Sequence, residues 1–370
     1  MKRIVLAVMS LFALSAANAT IRVVNNNNPS PGQYTDLQVA VNAAIAGDTI
    51  YVTGSPNVYS GTISLVKKLV IIGTGHSPQK VNPLISRVNN FSFDNKAASG
   101  SQIIGLDLDW IIFSVDSVAD VLIKRNKIRA AISFDYTTTG LGANTGGGRF
   151  LRLTVESNYF TNGGGPDFDA GYYSTYRDVY IRNNVFTGPL IGFQNSNNVY
   201  VTNNLFLGDG RLSYSYNVGL YVQSNIFMRN GANFATNYGT TDNTTGCEWR
   251  YNLSYGLQTN NLPNDGNAGG GNFGNKNGVD PQFTGFVSGA SGPNNWDYIY
   301  DFTPAAASPL KNAGNDGSDI GPTGNPFVNY NKYGIPNIPQ IRSFSIVSPA
   351  NATVAPGSTL QVNIISTIKK

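Results

Sequence analysis

Cysteine and histidine are nearly absent from this 370-residue chain, which has one of each. A single cysteine, Cys247, rules out an intrachain disulfide framework. Charge is also scarce, at 12% of residues, and nearly balanced: 25 Lys and Arg stand against 21 Asp and Glu, a net +4. Lys2 and Arg3 fall in the N-terminal leader described below, so the remainder carries +2. That balance offers no basic face for a nucleic-acid partner. Long apolar runs are missing too. No segment approaches the roughly 20 apolar residues a membrane-spanning helix needs, so membrane insertion is not expected. Aromatics are plentiful, with 20 Tyr and 19 Phe. Little charge with many aromatics argues against disorder and suits a β-rich extracellular protein.

Residues 1–19 read as a secretory signal peptide. Lys2 and Arg3 form its basic start, Ile4 to Leu14 its apolar core, and Ala17-Asn18-Ala19 its small-residue cleavage site. The expected location is therefore secreted, extracellular or at the cell surface. No cysteine near the cut could accept a lipid.

The informative feature is a phrase that occurs six times: apolar, outward, apolar, outward, small or polar, Asn, apolar, apolar. Its copies centre on Asn126, Asn158, Asn184, Asn204, Asn225 and Asn252, at intervals of 32, 26, 20, 21 and 27 residues. A seventh, looser copy, Ile104 to Ile111, places Asp109 at the Asn position. Repetition at a variable interval of this size marks a solenoid whose turns carry loops of different lengths. Within each copy the alternation has the period of a strand. One such strand cannot bury its apolar face alone, but it can when stacked about 4.8 Å from the next. The inward columns are then Val121, Leu153, Val179, Val199, Leu220 and Cys247, followed by Ile123, Val155, Ile181, Val201, Val222 and Trp249. Cys247 reads as a small core residue. Phe160, Phe186, Phe206 and Phe227 form an interior aromatic stack. The six asparagines form a structural ladder at the strand turn, where Asn tolerates left-handed backbone and identical amides can bond one another.

This pattern resembles the right-handed parallel β-helix proteins with the pectin-lyase-like fold. The opening segment is similar as well. Thr35 to Ile45 reads as an amphipathic helix with Thr35 as N-cap and Leu37, Val41, Ala44 and Ile45 on one face. Strands at Gly47–Val52 and Lys68–Gly73 follow. The resemblance implies that this helix caps the first coil, whose apolar end and unpaired edge would otherwise be open. It also implies that Ser308-Pro309-Leu310 with Gly314 and Asp319-Ile320-Gly321 belong to a closing segment. The resemblance covers roughly residues 33 to 325. The expected fold is all-β, a right-handed parallel β-helix over 20–340 with an N-terminal capping helix. A short β tail over 341–370 looks like the start of an immunoglobulin-like module. Gly-rich stretches at 137–148 and 162–171 read as overhanging loops, 258–295 as a surface excursion, and 296–340 as an irregular closing segment.

Function would sit on the outward columns. One is Leu122, Thr154, Tyr180, Tyr200, Tyr221 and Glu248. The other is Asp107, Lys124, Glu156, Arg182, Thr202, Gln223 and Arg250, whose first four members alternate in sign and support neighbouring strands. Three stacked phenols on an exposed face either pack together or bind something. Flat sugar rings pack on such faces, so the substrate-binding set is Tyr180, Tyr200 and Tyr221 with Arg182, Gln223 and Arg250. The partner is a polysaccharide, and the chain is expected to be non-catalytic, with no cofactor and no metal.

Two other readings stay open. Acid-glycan lyases of this fold remove a proton alpha to a uronate carboxylate and often use calcium. Asp167, Asp169, Arg177 and Asp178 could hold a cation or substrate, and Lys124, Arg182 and Arg250 could neutralise a uronate. The Arg-x-Pro-x-x-Arg pattern of pectate-lyase-like enzymes is missing. The polygalacturonase-like hydrolases carry a Gly-His-Gly histidine downstream of paired acids, whereas His76 lies upstream of every candidate acid. The third reading is a structural or adhesive spacer, joined to other surface modules through its tail.

Overall fold

The computed structural model describes residues 19–27, 32–80, 82–134, 149–161, 165–170, 174–193, 195–208, 210–212, 218–228, 246–256, 262, 271–286, 297–325, 331–338, 340–348 and 361–367. Residues 1–18, which hold all but the last residue of the expected signal peptide, and the 137–148 stretch lie outside that set. Among the described residues the protein is all-β, with two long parallel sheets that the chain visits alternately. The first sheet runs from Ile21–Val24 through Leu122–Lys124, Thr154–Glu156, Thr175–Arg182, Asn195–Thr202 and Leu220–Gln223 to Glu248–Arg250. The second runs from Tyr59–Leu65 through Arg87–Phe93, Asp107–Phe113, Lys127–Ser133, Tyr159–Phe160, Val185–Phe186, Leu205–Leu207 and Ile226–Met228 to Leu253–Tyr255. This is a solenoid-like winding, compatible with a β-helix. No described helix is long and apolar enough to cross a membrane.

The core lies between the sheets. Ile123, Val155, Ile181, Val201, Val222 and Trp249 stand opposite one another from strand to strand and are fully or almost fully buried. Phe160, Phe186, Phe206 and Phe227 stack at ring separations of 4.6, 5.2 and 4.8 Å, and Trp249 continues the pile at 5.7 Å. Each aromatic pair adds about 0.5–1.5 kcal/mol beyond its buried area. Cys247 is buried at the end of its column, and burial pushes its thiol up to about 11, where it stays protonated.

The asparagines sit immediately after the bend rather than in it. Positive φ falls on the preceding residue: Arg125, Ser157, Asn183, Asn203, Ser224 and Tyr251, between 54° and 57°. The expectation that the ladder asparagines take up left-handed backbone is therefore corrected. Their work is done by the amide. From Asn158 onward each ladder Oδ1 accepts from the backbone N–H and the Nδ2 of the preceding asparagine, and each Nδ2 also donates to a strand carbonyl.

Several boundaries differ from the sequence reading. The helix is Leu37–Ala43 with Asp36, not Thr35, as N-cap, its carboxylate accepting from Val39 N at 2.8 Å. Ile45 lies beyond it, 48% exposed. The looser copy is out of register by three residues: Leu106, not Asp109, stands level with Asn126 and donates its N–H to Asn126 Oδ1 at 3.0 Å. Gly105 supplies the left-handed bend there (φ 70°), so no asparagine is needed. Asp107 consequently leaves the charged column, where Ile104 stands opposite Lys124. It lies in the second sheet opposite Lys127, its carboxylate bound by Arg129 Nε and Nη2 at 2.6 Å each.

The 162–171 stretch is not simply a loop, because Phe168–Asp169 pairs with Ile132–Ser133 and Leu190–Ile191, and Phe168 is buried. Within 258–295, residues 271–279 are not a surface excursion. Phe273 bridges to Arg250, Lys276 to Leu253, and Asn275 Oδ1 accepts from Asn252 N at 2.8 Å, adding a rung to the amide chain.

The segment after residue 279 covers an outward face. Tyr159, Val185, Leu205, Ile226 and Leu253, each directly after a ladder asparagine, point out of the second sheet and are buried under Phe283, Phe302, Leu310 and Ile320. Beyond Leu310 the chain crosses the bends. Asn203 Nδ2 donates to Asp319 O, Asn183 Nδ2 to Pro322 O and Gly324 O, and Arg125 Nη1 to Ile335 O and Asn337 Oδ1. Gln340–Ser348 and Gln361–Thr367 form an antiparallel pair.

Candidate functional site

The first sheet turns its outward residues away from the core, and register alone places the tyrosines. Tyr180 stands opposite Tyr200, and Tyr200 opposite Tyr221. Their rings stack nearly parallel, at 5.3 Å and 6° and then at 4.8 Å and 15°. Tyr180, at the open end of the stack, is 39% exposed, and the other two are half-buried against their neighbours. Burial and the flanking Tyr221 and Tyr180 raise the Tyr200 hydroxyl above its ordinary value, so the central phenol stays neutral. The stripe spans about 10 Å, two strand spacings.

A polar column runs beside it. Glu156 is bound by Lys124 on one side and by Arg182 on the other, with Arg182 Nη2 at 2.8 Å and Nε at 2.9 Å. Burial alone would raise this carboxyl, but the two cations outweigh it and hold it below its usual range. Arg182 also lies 5.9 Å from the centre of the Tyr180 ring. Gln223 Oε1 accepts from Asn315 Nδ2 at 3.0 Å. Arg250 pairs with Glu248 at 2.7 Å, donates to Gly271 O at 3.1 Å and lies 5.0 Å over the Phe273 ring.

The structure thus brings Tyr180, Tyr200, Tyr221, Arg182, Gln223 and Arg250 onto one face, with both arginines engaged by carboxylates. Phe273 joins that face at the Arg250 end. It was invisible in the sequence because its rung lacks the full repeat phrase, and only Asn275 two residues later signals the rung.

The acids considered for a cation are dispersed. Asp167 is buried, and its Oδ2 accepts from Thr187 N at 2.7 Å and Gly188 N at 2.5 Å, holding a turn. Asp178 lies at a bend of the first sheet, with Arg177 at 3.6 Å and Asn198 Nδ2 at 2.9 Å. Asp169 lies in its short strand of the second sheet. Among the described residues, no three His, Cys, Asp or Glu side chains are grouped so as to hold a metal ion.

His76 is fully buried. Its Nδ1 is 2.9 Å from Tyr298 Oη, and that hydroxyl donates to His76 O at 2.6 Å. A proton on Nδ1 satisfies both bonds. Burial first, then the positive Lys127 and Lys80, hold the imidazole well below its ordinary value. The ring edge meets Tyr159 at 5.2 Å. Compared with known proteins, the chain matches no family model and no curated protein.

Proposed function

We propose that this chain is a secreted right-handed parallel β-helix protein, similar in architecture to the pectin-lyase-like superfamily, that binds polysaccharide on the outward face of its first sheet without acting on it chemically. On this reading residues 1–19 are removed as a leader and the helix Leu37–Ala43 caps the first coil. Residues up to about 340 form one β-helix domain, and the C-terminal strand pair joins the chain to other surface modules. The observation that carries the proposal is the parallel stack of Tyr180, Tyr200 and Tyr221. Its row of ring edges and hydroxyls matches the apolar patches and hydroxyl edges of a glycan laid across the rungs. The neutral central phenol of Tyr200 suits an uncharged or weakly charged chain.

The state of the nearby cations supports binding over β-elimination. Lys124 and Arg182 are held by Glu156 and Arg250 by Glu248, so each would have to break an ion pair to neutralise a uronate. The test is retention on immobilised polysaccharides, repeated with Tyr200→Ala. Loss of the central ring is expected to weaken retention about tenfold, the equivalent of 1.4 kcal/mol. Retention equal to that of the parent would remove the stripe from the proposal. The lyase alternative is tested in parallel by following unsaturated uronate absorbance on pectate, alginate and glycosaminoglycans with and without calcium.

A further inference from the structure

We infer a second carbohydrate site, built on the other sheet around Trp110 and shaped for one pyranose unit of a neutral glycan. It is separate from the tyrosine stripe and does not depend on it. The second sheet is irregular near its N-terminal end. Tyr59–Leu65 carries an extra residue against Arg87–Phe93, and Lys127–Ser133 carries one against Asp107–Phe113. Bulges of this kind bend a sheet and re-aim side chains. Here they leave an open cleft of about 430 Å³ lined by Thr62, Asn89, Asn90, Asp109, Trp110 and Arg129. That volume falls within the range of small-ligand sites.

Trp110 is 40% exposed. Its neighbours across the strands are Asn90 on one side and Ala131 on the other, with Ala130 also in the lining, so no aromatic ring among these neighbours covers the indole. An exposed indole in a cleft, rather than on a convex surface, is a stacking platform with polar groups at its rim.

The chemistry of the rim selects the ligand. Its charges already answer one another: Arg129 is bidentate to Asp107, and Arg87 lies 3.5 Å from Asp109. A charged sugar would compete with one of these pairs, whereas a neutral one need not. Asn89 Nδ2 donates to Asp109 Oδ2 at 3.2 Å and Asn90 Nδ2 to Thr62 Oγ1 at 3.2 Å, so amides, a hydroxyl and a carboxylate face the same space. Donors and acceptors intermixed on this scale match a ring of hydroxyls, each of which gives and takes a hydrogen bond.

The experiment is calorimetric titration of the full chain with cellohexaose, xylohexaose, mannohexaose and trigalacturonate. At least one neutral hexasaccharide should bind saturably. Trp110→Ala should weaken that binding at least tenfold, in the parent and in a Tyr200→Ala background alike. Ala130→Phe, which fills the cleft from the neighbouring strand, should abolish it and stands in should the Trp110 variant misfold. The inference is overturned if no neutral hexasaccharide binds at millimolar concentration, if trigalacturonate binds more tightly than all three, or if the folded Trp110 and Ala130 variants bind like the parent. Affinity lost only in Tyr200→Ala would also overturn it, assigning all binding to the stripe.

Discussion

Asn204 occupies the middle of the amide chain, and its replacement by alanine tests what holds successive coils together. Its Oδ1 accepts from Asn184 N and Asn184 Nδ2, both at 3.0 Å, and its Nδ2 donates to Ile181 O at 2.9 Å and Asn225 Oδ1 at 3.0 Å. Asn204→Ala removes all four bonds. Asn225 Oδ1 still accepts from the backbone N–H of residue 204, so it keeps a partner. The losses fall on one N–H of the Asn184 amide group, the Asn184 backbone N–H and the Ile181 carbonyl. Asn184, Asn204 and Asn225 are fully buried, which leaves water no access. A buried polar group stripped of its partner costs about 1–3 kcal/mol, so with three such groups the variant should lose at least about 3 kcal/mol. Urea denaturation followed by circular dichroism gives the total. Because a solenoid can open rung by rung, hydrogen exchange on a peptide containing Asn184 gives the local part. Thr202→Ala, on the outward side of the same rung, is the control and should stay within about 0.5 kcal/mol. A loss below about 1 kcal/mol, or unchanged exchange at Asn184, would refute the view that the amide chain carries this stability.

Two further perturbations follow from the way the C-terminal segment is seated. The unfolded chain protonates His76 as pH falls through about 6.5, while the folded protein holds it neutral. Its contribution to stability is therefore complete above that pH and declines below it by up to about 1.4 kcal/mol per pH unit; the unfolding midpoint of His76→Gln should show a flatter pH profile between 5 and 7 than the parent, and identical profiles would contradict the assignment. Gly334 has φ 64°, and a Cβ there would collide with the His76 ring and lie 2.7 Å from Arg125 O; Gly334→Ala should cost about 2–4 kcal/mol and render residues 331–338 sensitive to limited proteolysis, and an unchanged digestion pattern would show that the segment is not seated there.

The core and the corners could be read from the repeat because stacking places like on like. Once Val, Ile and Phe recur at fixed offsets from an asparagine, a parallel stack follows, and so do the pairings of Ile123 with Val155 and of Tyr180 with Tyr200. The reading failed where the repeat phrase was incomplete. Gly105 makes a bend without an asparagine, which hid the true level of Asp107, and the Gly-rich composition around Phe273 masked a rung. The pair of apolar residues after each asparagine also held an unread signal: two neighbours in a strand cannot both face inward, so one outward column had to be covered by something.

The amino-acid sequence by itself determined the periodic part of this protein: the parallel stacking, the inward columns, the amide chain and the alignment of the three tyrosines. Each depends only on residues a fixed number of steps from their own asparagine. Tertiary structure alone decided what covers the outward apolar column and where the bulged strands open the Trp110 cleft. These depend on segments up to 222 residues apart, as with His76 and Tyr298. No local period relates such segments, and they meet only once the coils have stacked and the chain has folded back across them.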